Sequence, residues 1–149
     1  MTNEVLLLDN NDLLRCLRGR IPFRTHPASG INNTRWELGT FHGHTKLLDN
    51  PIWDDLDEGT KQAMPDFKYQ TGSLSNDNTG TWYSQLVDMY FTHQLVDFVV
   101  YSYDTVIAWH VTEDRFGYWT VTQSIHSATT AQHQTRLILA LQQLEERVT

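Results

Sequence analysis

The chain has 149 residues, 40% of them hydrophobic and 11% aromatic, with a formal net charge of −7. That length and apolar content suit a single domain over residues 1–149 whose core needs no metal or disulfide staple. With Gly 8 and Pro 4, collagen-like and low-complexity classes fall away, and no run approaches the roughly 20 apolar residues of a membrane span.

Charge is unevenly placed. Residues 1–36 carry a net of +2, residues 37–114 a net of −10 and residues 115–149 a net of +1. An acidic middle repels phosphate backbones, so no nucleic-acid partner is expected. The excess reads as solubility or, more sharply, as attraction for a basic partner or mimicry of nucleic-acid charge. Cys16 is the chain's one cysteine, and its neighbours Leu13, Leu14 and Leu17 mark it as a small buried hydrophobe. Val5 to Leu8 is too short for a signal peptide, which leaves the cytoplasm as the expected compartment.

Taken in chain order, Asp9-Asn10-Asn11-Asp12 caps a short helix over Leu13 to Gly19, with glycine behind it and Arg15 and Arg18 in its last turns. Pro22 enforces an extended path from Ile21 to Arg24. Residues 25–34 read as loop and Trp36 to Phe41 as a strand. Asn50-Pro51 resembles a helix start followed by Asp54, Asp55, Asp57 and Glu58 in an early turn, with Gly59 shortening the helix. Residues 69–80 are polar, turn-rich and almost free of bulky apolar groups, the best candidate for a mobile loop. They end a stretch over residues 45–80, net −4, that reads as an acidic insertion.

Trp82, Tyr83, Leu86, Met89 and Tyr90 predict a helix from about residue 81 to 93. The densest β signal follows, over Leu95 to Tyr103 and Thr105 to Val111. Glu113 to Gly117 supplies a turn and Tyr118 to Gln123 a returning strand. Leu137, Leu141, Leu144 and Val148, spaced four, three and four, form the apolar stripe of a C-terminal helix that Ser127, Thr129 or Thr130 can cap. The expected fold is α+β: an antiparallel sheet of three or more strands with that long helix packed across one face.

On a helical wheel with Leu137 at zero, Gln134 falls near about 60°, Thr130 near about 20° and His133 near about −40°. All three share the side of the apolar stripe, and an unpaired buried polar group costs roughly 1–3 kcal/mol. One reading is that they brace the helix start against strand carbonyls and tyrosine hydroxyls. The other is that Thr129, Thr130, His133 and Gln134 line a small polar site at a helix N-terminus, suited to a phosphate or carboxylate. In the second, His133 could serve as the acid–base of a small hydrolase or nucleotide-processing enzyme.

The segments Tyr101-Ser102-Tyr103-Asp104-Thr105-Val106-Ile107-Ala108-Trp109 and His126-Ser127-Ala128-Thr129-Thr130-Ala131-Gln132-His133-Gln134 resemble a family of small, functionally uncharacterised proteins of actinobacterial phages. The family's pattern is a Ser-Tyr-x-Thr-Pro-Ile-Ala strand and a Tyr-Ser-x-Thr-Thr-x-x-His-Gln helix start. The resemblance covers residues 98–140, is weaker over Leu13 to Arg24 and is absent over roughly 45–95. Val106 stands where proline is usual and His126 where tyrosine is usual. The resemblance implies a viral origin and an accessory role outside the virion, and transfers no chemistry.

His42-Gly43-His44 puts two imidazoles on one face of a strand, a spacing metals can use. No third histidine or cysteine stands nearby in sequence, so solvated strand residues are the preferred reading and no metal is expected. The chain has no phosphate-binding glycine loop, nucleophile elbow or dinucleotide fingerprint, so no cofactor is expected either. The reading that follows is a non-catalytic binder of a host or phage protein in the host cytoplasm. Its candidate binding residues are Thr129, Thr130, His133 and Gln134 at the helix start and Asp54, Asp55 and Asp57 in the acidic stretch. Self-assembly through the 82–90 helix is a further alternative.

Overall fold

The computed structural model describes residues 4–25, 41–48, 53–63, 68, 86, 88–103, 105–113, 115–122 and 128–148. These residues form an α+β fold around a six-stranded sheet. Strand β1 (Val5–Leu6) leads into helix α1 (Asn10–Gly19), which crosses over to β2 (Phe23–Arg24). That crossover makes β1 and β2 parallel, and every later pairing is antiparallel. Strands β3 (Phe41–His44), β4 (Val96–Ser102), β5 (Thr105–Glu113) and β6 (Phe116–Val121) follow in spatial order, and α3 (Ala128–Gln143) closes the fold. Between β3 and β4 lie a 3-10 turn over Trp53–Asp55, the short α2 (Glu58–Ala63) and a π-helical turn over Asp88–Thr92. Among the described residues no helix is long and apolar enough to cross a membrane.

Alternation along the strands divides the core in two. On one face α1 contributes Leu13, Cys16 and Leu17, and α3 contributes Leu137, Ala140 and Leu141, all against Phe23, Phe41, Phe98, Val100 and Trp119. Each fully buried leucine there is worth about 2–3 kcal/mol. Burial also pushes the Cys16 thiol pKa up, in keeping with an inert core side chain. On the other face Leu47, Leu86, Val99, Tyr101, Val106 and Trp109 form a second layer.

Two bulges shape the central β4–β5 pair. The register slips between Val100/Tyr101, leaving Ile107 as an extra residue, so that Ile107 and Ala108 both reach the helix side. A second slip between Val96/Phe98 leaves Asp97 as the extra residue. It is thereby carried to the side of Phe98 and His110.

Several local expectations need correction. Gly19 is the last residue of α1, and Arg20 takes the left-handed position beyond it at φ 51, its guanidinium donating to Leu17 O at 3.2 Å. Gly59 lies inside α2 and does not end it: Asp57 caps the helix by accepting from Thr60 N, which secures the first turn around the glycine. Phe116 and Gly117 belong to β6, not to the turn, because Glu113 pairs directly with Phe116. Of the helix expected over 81–93, Leu86 is helical and Asp88–Thr92 form the π-helical turn, ended by Leu95 N donating to Met89 O and by Gln94 at φ 55.

Val148 does not extend the helical stripe. Helix α3 ends at Gln143, Glu145 turns left-handed, and Trp119 N donates to Arg147 O, setting Val148 beside Trp119 as a parallel bridge. Thr129 and Thr130 lie within the first turn of α3, not at its cap. The loop expected over 69–80, Asn50-Pro51 and Ser127 fall outside the described residues, as does the strand expected from Trp36 except for Phe41.

Candidate functional site

The polar start of α3 faces the sheet. Thr130, His133 and Gln134 are buried in line with Leu137, while Thr129 is half-buried beside them. Two separate anchors result. Gln134 Nε2 donates to Thr122 O at 2.7 Å and to Thr122 Oγ1 at 3.1 Å, just beyond β6. Thr122 in turn donates its own N–H and hydroxyl to Ile107 O. At the end of β4, Ser102 Oγ lies 2.7 Å from His133 Nδ1 and 3.0 Å from Thr130 Oγ1.

The imidazole of His133 stacks on Phe41 with ring centroids 4.9 Å apart, and among the described residues its Nε2 has no hydrogen-bond partner. Burial drives the His133 pKa down to about 4, and the charges of Arg136 and His42 add to the effect. The ring is therefore neutral at pH 7. An orphaned buried N–H is rarer than an orphaned lone pair. The favoured arrangement has Nδ1–H donating to Ser102 Oγ and Ser102 donating to Thr130. That is the reverse of nucleophile activation, in which the imidazole withdraws the hydroxyl proton.

A second imidazole has a carboxylate partner. Asp97, delivered by its bulge, accepts from His110 Nδ1 at 2.7 Å and from Thr112 Oγ1 at 2.9 Å. Burial alone would raise the Asp97 carboxyl pKa, but the bonds from His110 and Thr112 and the His110 charge outweigh it and hold it below its ordinary value. The His110 ring packs against Trp119 and lies where a Cβ on Gly117 would stand, 2.8 Å from its Nε2. Neither Asp97 nor His110 is among the residues expected from the sequence. Their signal is a polar residue in the middle of an apolar strand, Val96-Asp97-Phe98 and Trp109-His110-Val111.

On the sheet face away from α3, His42 and His44 flank Gly43. His42 Nε2 lies 2.7 Å from Tyr103 O, and His42 Nδ1 lies 2.7 Å from His44 Nε2. A carbonyl only accepts, so Nε2 carries the His42 proton and Nδ1 presents a lone pair. Among the described residues, no group of three or more His, Cys, Asp or Glu side chains could hold a metal. The acidic candidates stand apart from all of these. Asp54 and Asp55 are exposed on the 3-10 turn, and Asp57 is exposed with both carboxylate oxygens bonded to Thr60. Those bonds lower its pKa, the Thr60 hydroxyl most.

The model of a family of unknown function, DUF8033, matches residues 38–147. The chain belongs to this family. No characterised protein and no solved structure matches it. The span matched to DUF8033 takes in β3 to β6, α2 and α3, and so both partners of every imidazole contact described above. It also takes in the acidic stretch over residues 45–80. Strand β1, α1 and β2 lie outside the DUF8033 match, although α1 packs into the same core as α3.

Proposed function

We propose that this chain is a phage accessory protein without catalytic activity of its own, which binds a host or phage protein in the host cytoplasm. The observation that carries the non-catalytic reading is the enclosure of Ser102 and His133, which are 0% and 2% exposed. Among the described residues this hydroxyl and imidazole are the contact most like a nucleophile and base, and they hold α3 to β4. A hydrolase or nucleotide-processing enzyme relying on His133 needs that ring to reach a substrate. The phage assignment rests on the sequence pattern over residues 98–140.

The exposed Asp54, Asp55 and Asp57 support a basic partner, since charge complementarity chiefly raises association rate. The test is capture of partners by the tagged full chain from actinobacterial lysate, at low and physiological salt, followed by kinetics on the purified pair. A specific partner is expected whose association slows with salt and with combined Asp54→Asn, Asp55→Asn and Asp57→Asn. Turnover of an ester or nucleotide by the pure protein, abolished in a folded His133→Gln variant, overturns the reading.

A further inference from the structure

We propose that His42 and His44 form a two-imidazole binding site for a borderline divalent transition-metal ion of the Zn2+ or Ni2+ type. Residues two apart on a strand project to the same face, so β3 presents both rings side by side. Their facing nitrogens, His42 Nδ1 and His44 Nε2, are 2.7 Å apart. Two nitrogens bound to one tetrahedral ion at about 2.05 Å stand about 3.3 Å from each other. Binding replaces the hydrogen bond between the two rings and parts their nitrogens by about 0.6 Å.

The surroundings favour ligation over a merely polar surface pair. His42 donates its remote N–H to the Tyr103 carbonyl, the outer contact that commonly fixes the tautomer of a metal-bound imidazole. Its Nδ1 is thus left as the acceptor of the contact from His44 Nε2, a nitrogen lone pair facing the second ring. The ring is held by stacking on Tyr101, centroids 5.1 Å apart, while His44 meets Tyr101 edge-on at 5.7 Å. Tyr101 is itself pinned because its hydroxyl accepts from Leu48 N. Both histidines are half-buried.

On binding, His44 moves its proton from Nε2 to Nδ1, so no proton need be released at neutral pH. Nearby charge is mixed: Glu4 favours a cation at this place and Lys46 opposes it. Neutral nitrogen donors select Zn2+, Ni2+ or Cu2+ over Mg2+ and Ca2+.

The test is calorimetric titration of the full chain with Zn2+ and separately with Ni2+ near neutral pH. His42→Gln and His44→Gln replace the ligands while retaining hydrogen-bonding capacity, and exposed His93→Gln is the control. The expected result is one ion per chain, with affinity falling by roughly tenfold or more in each ligand variant and unchanged in the control. Imidazole nitrogen resonances of His42 and His44 should shift in the unmodified protein, which decides the matter even if a variant fails to fold. No binding at about 100 µM metal, or binding indifferent to both ligand substitutions, overturns the proposal.

Discussion

The hydroxyl of Ser102 lies 2.7 Å from Nδ1 of His133 across 31 positions of sequence, and both groups are sealed between β4 and α3. The contact ties the first turns of α3 to the sheet end, and Gln134 does the same 12 positions from Thr122. Polar residues on the apolar side of a helix are tolerated here because each has a hydrogen-bond partner at a strand end.

Stability should fall as the solution is acidified. His133 binds its proton near pH 4 in the folded chain and near 6.5 when unfolded, so the unfolded state takes up more protons between these values. The resulting loss, absent above about pH 6.5 and complete by about pH 4, amounts to about 3 kcal/mol. The lowered His44 pKa acts in the same direction. Urea midpoints measured across this range should drop with pH, and the slope should be shallower in His133→Gln. An unchanged slope would remove His133 as the cause.

Replacing Gln134 with leucine keeps the volume but deletes the donor to Thr122 O and Oγ1. The stranded Thr122 carbonyl should cost about 2 kcal/mol, while its hydroxyl keeps its bond to Ile107 O. Chemical denaturation of the variant checks this, and a stabilised Gln134→Leu protein would mean that the anchor is dispensable.

Gly43→Ala should be among the most damaging single-methyl additions. A Cβ there would meet Phe23 Cε2 at 2.5 Å and Phe98 Cε2 at 2.6 Å, two rings of the helix-side core. Overpacking of this kind costs about 3 kcal/mol. The loss should appear as a lower thermal midpoint, together with altered aromatic side-chain signals.

Glu145→Gly should stabilise the fold. Glu145 sits just past α3 at φ 59, exposed, where glycine removes the Cβ penalty and a negative charge leaves the helix C-terminus. A gain of about 1 kcal/mol in urea unfolding is expected. A loss would show that the left-handed turn carries no strain.

What could be read from the sequence alone is what local chemistry decides. Asp9 caps α1 because its carboxylate reaches Asp12 N, three residues on. The β-branched run around residues 95–111 makes strands β4 and β5, and the stripe through Leu137 and Leu141 makes α3 and turns Thr130, His133 and Gln134 inward with it. Such signals work over one to four residues, within reach of a cap or a helical turn.

Tertiary structure decided the partners. Ser102 meets His133, and Asp97 meets His110, through sheet register, one-residue bulges and the packing of α3. A slip of one residue sends a side chain to the opposite face, and no local pattern shows where the extra residue sits. Val148 fits the helical stripe in sequence, yet the backbone of β6 takes it as a strand neighbour, because Trp119 N needs an acceptor and Arg147 O supplies it. His42 and His44 could be seen as a pair on one face. Their shared hydrogen bond, and the Tyr103 carbonyl that orients it, exist only once β3 lies beside β4.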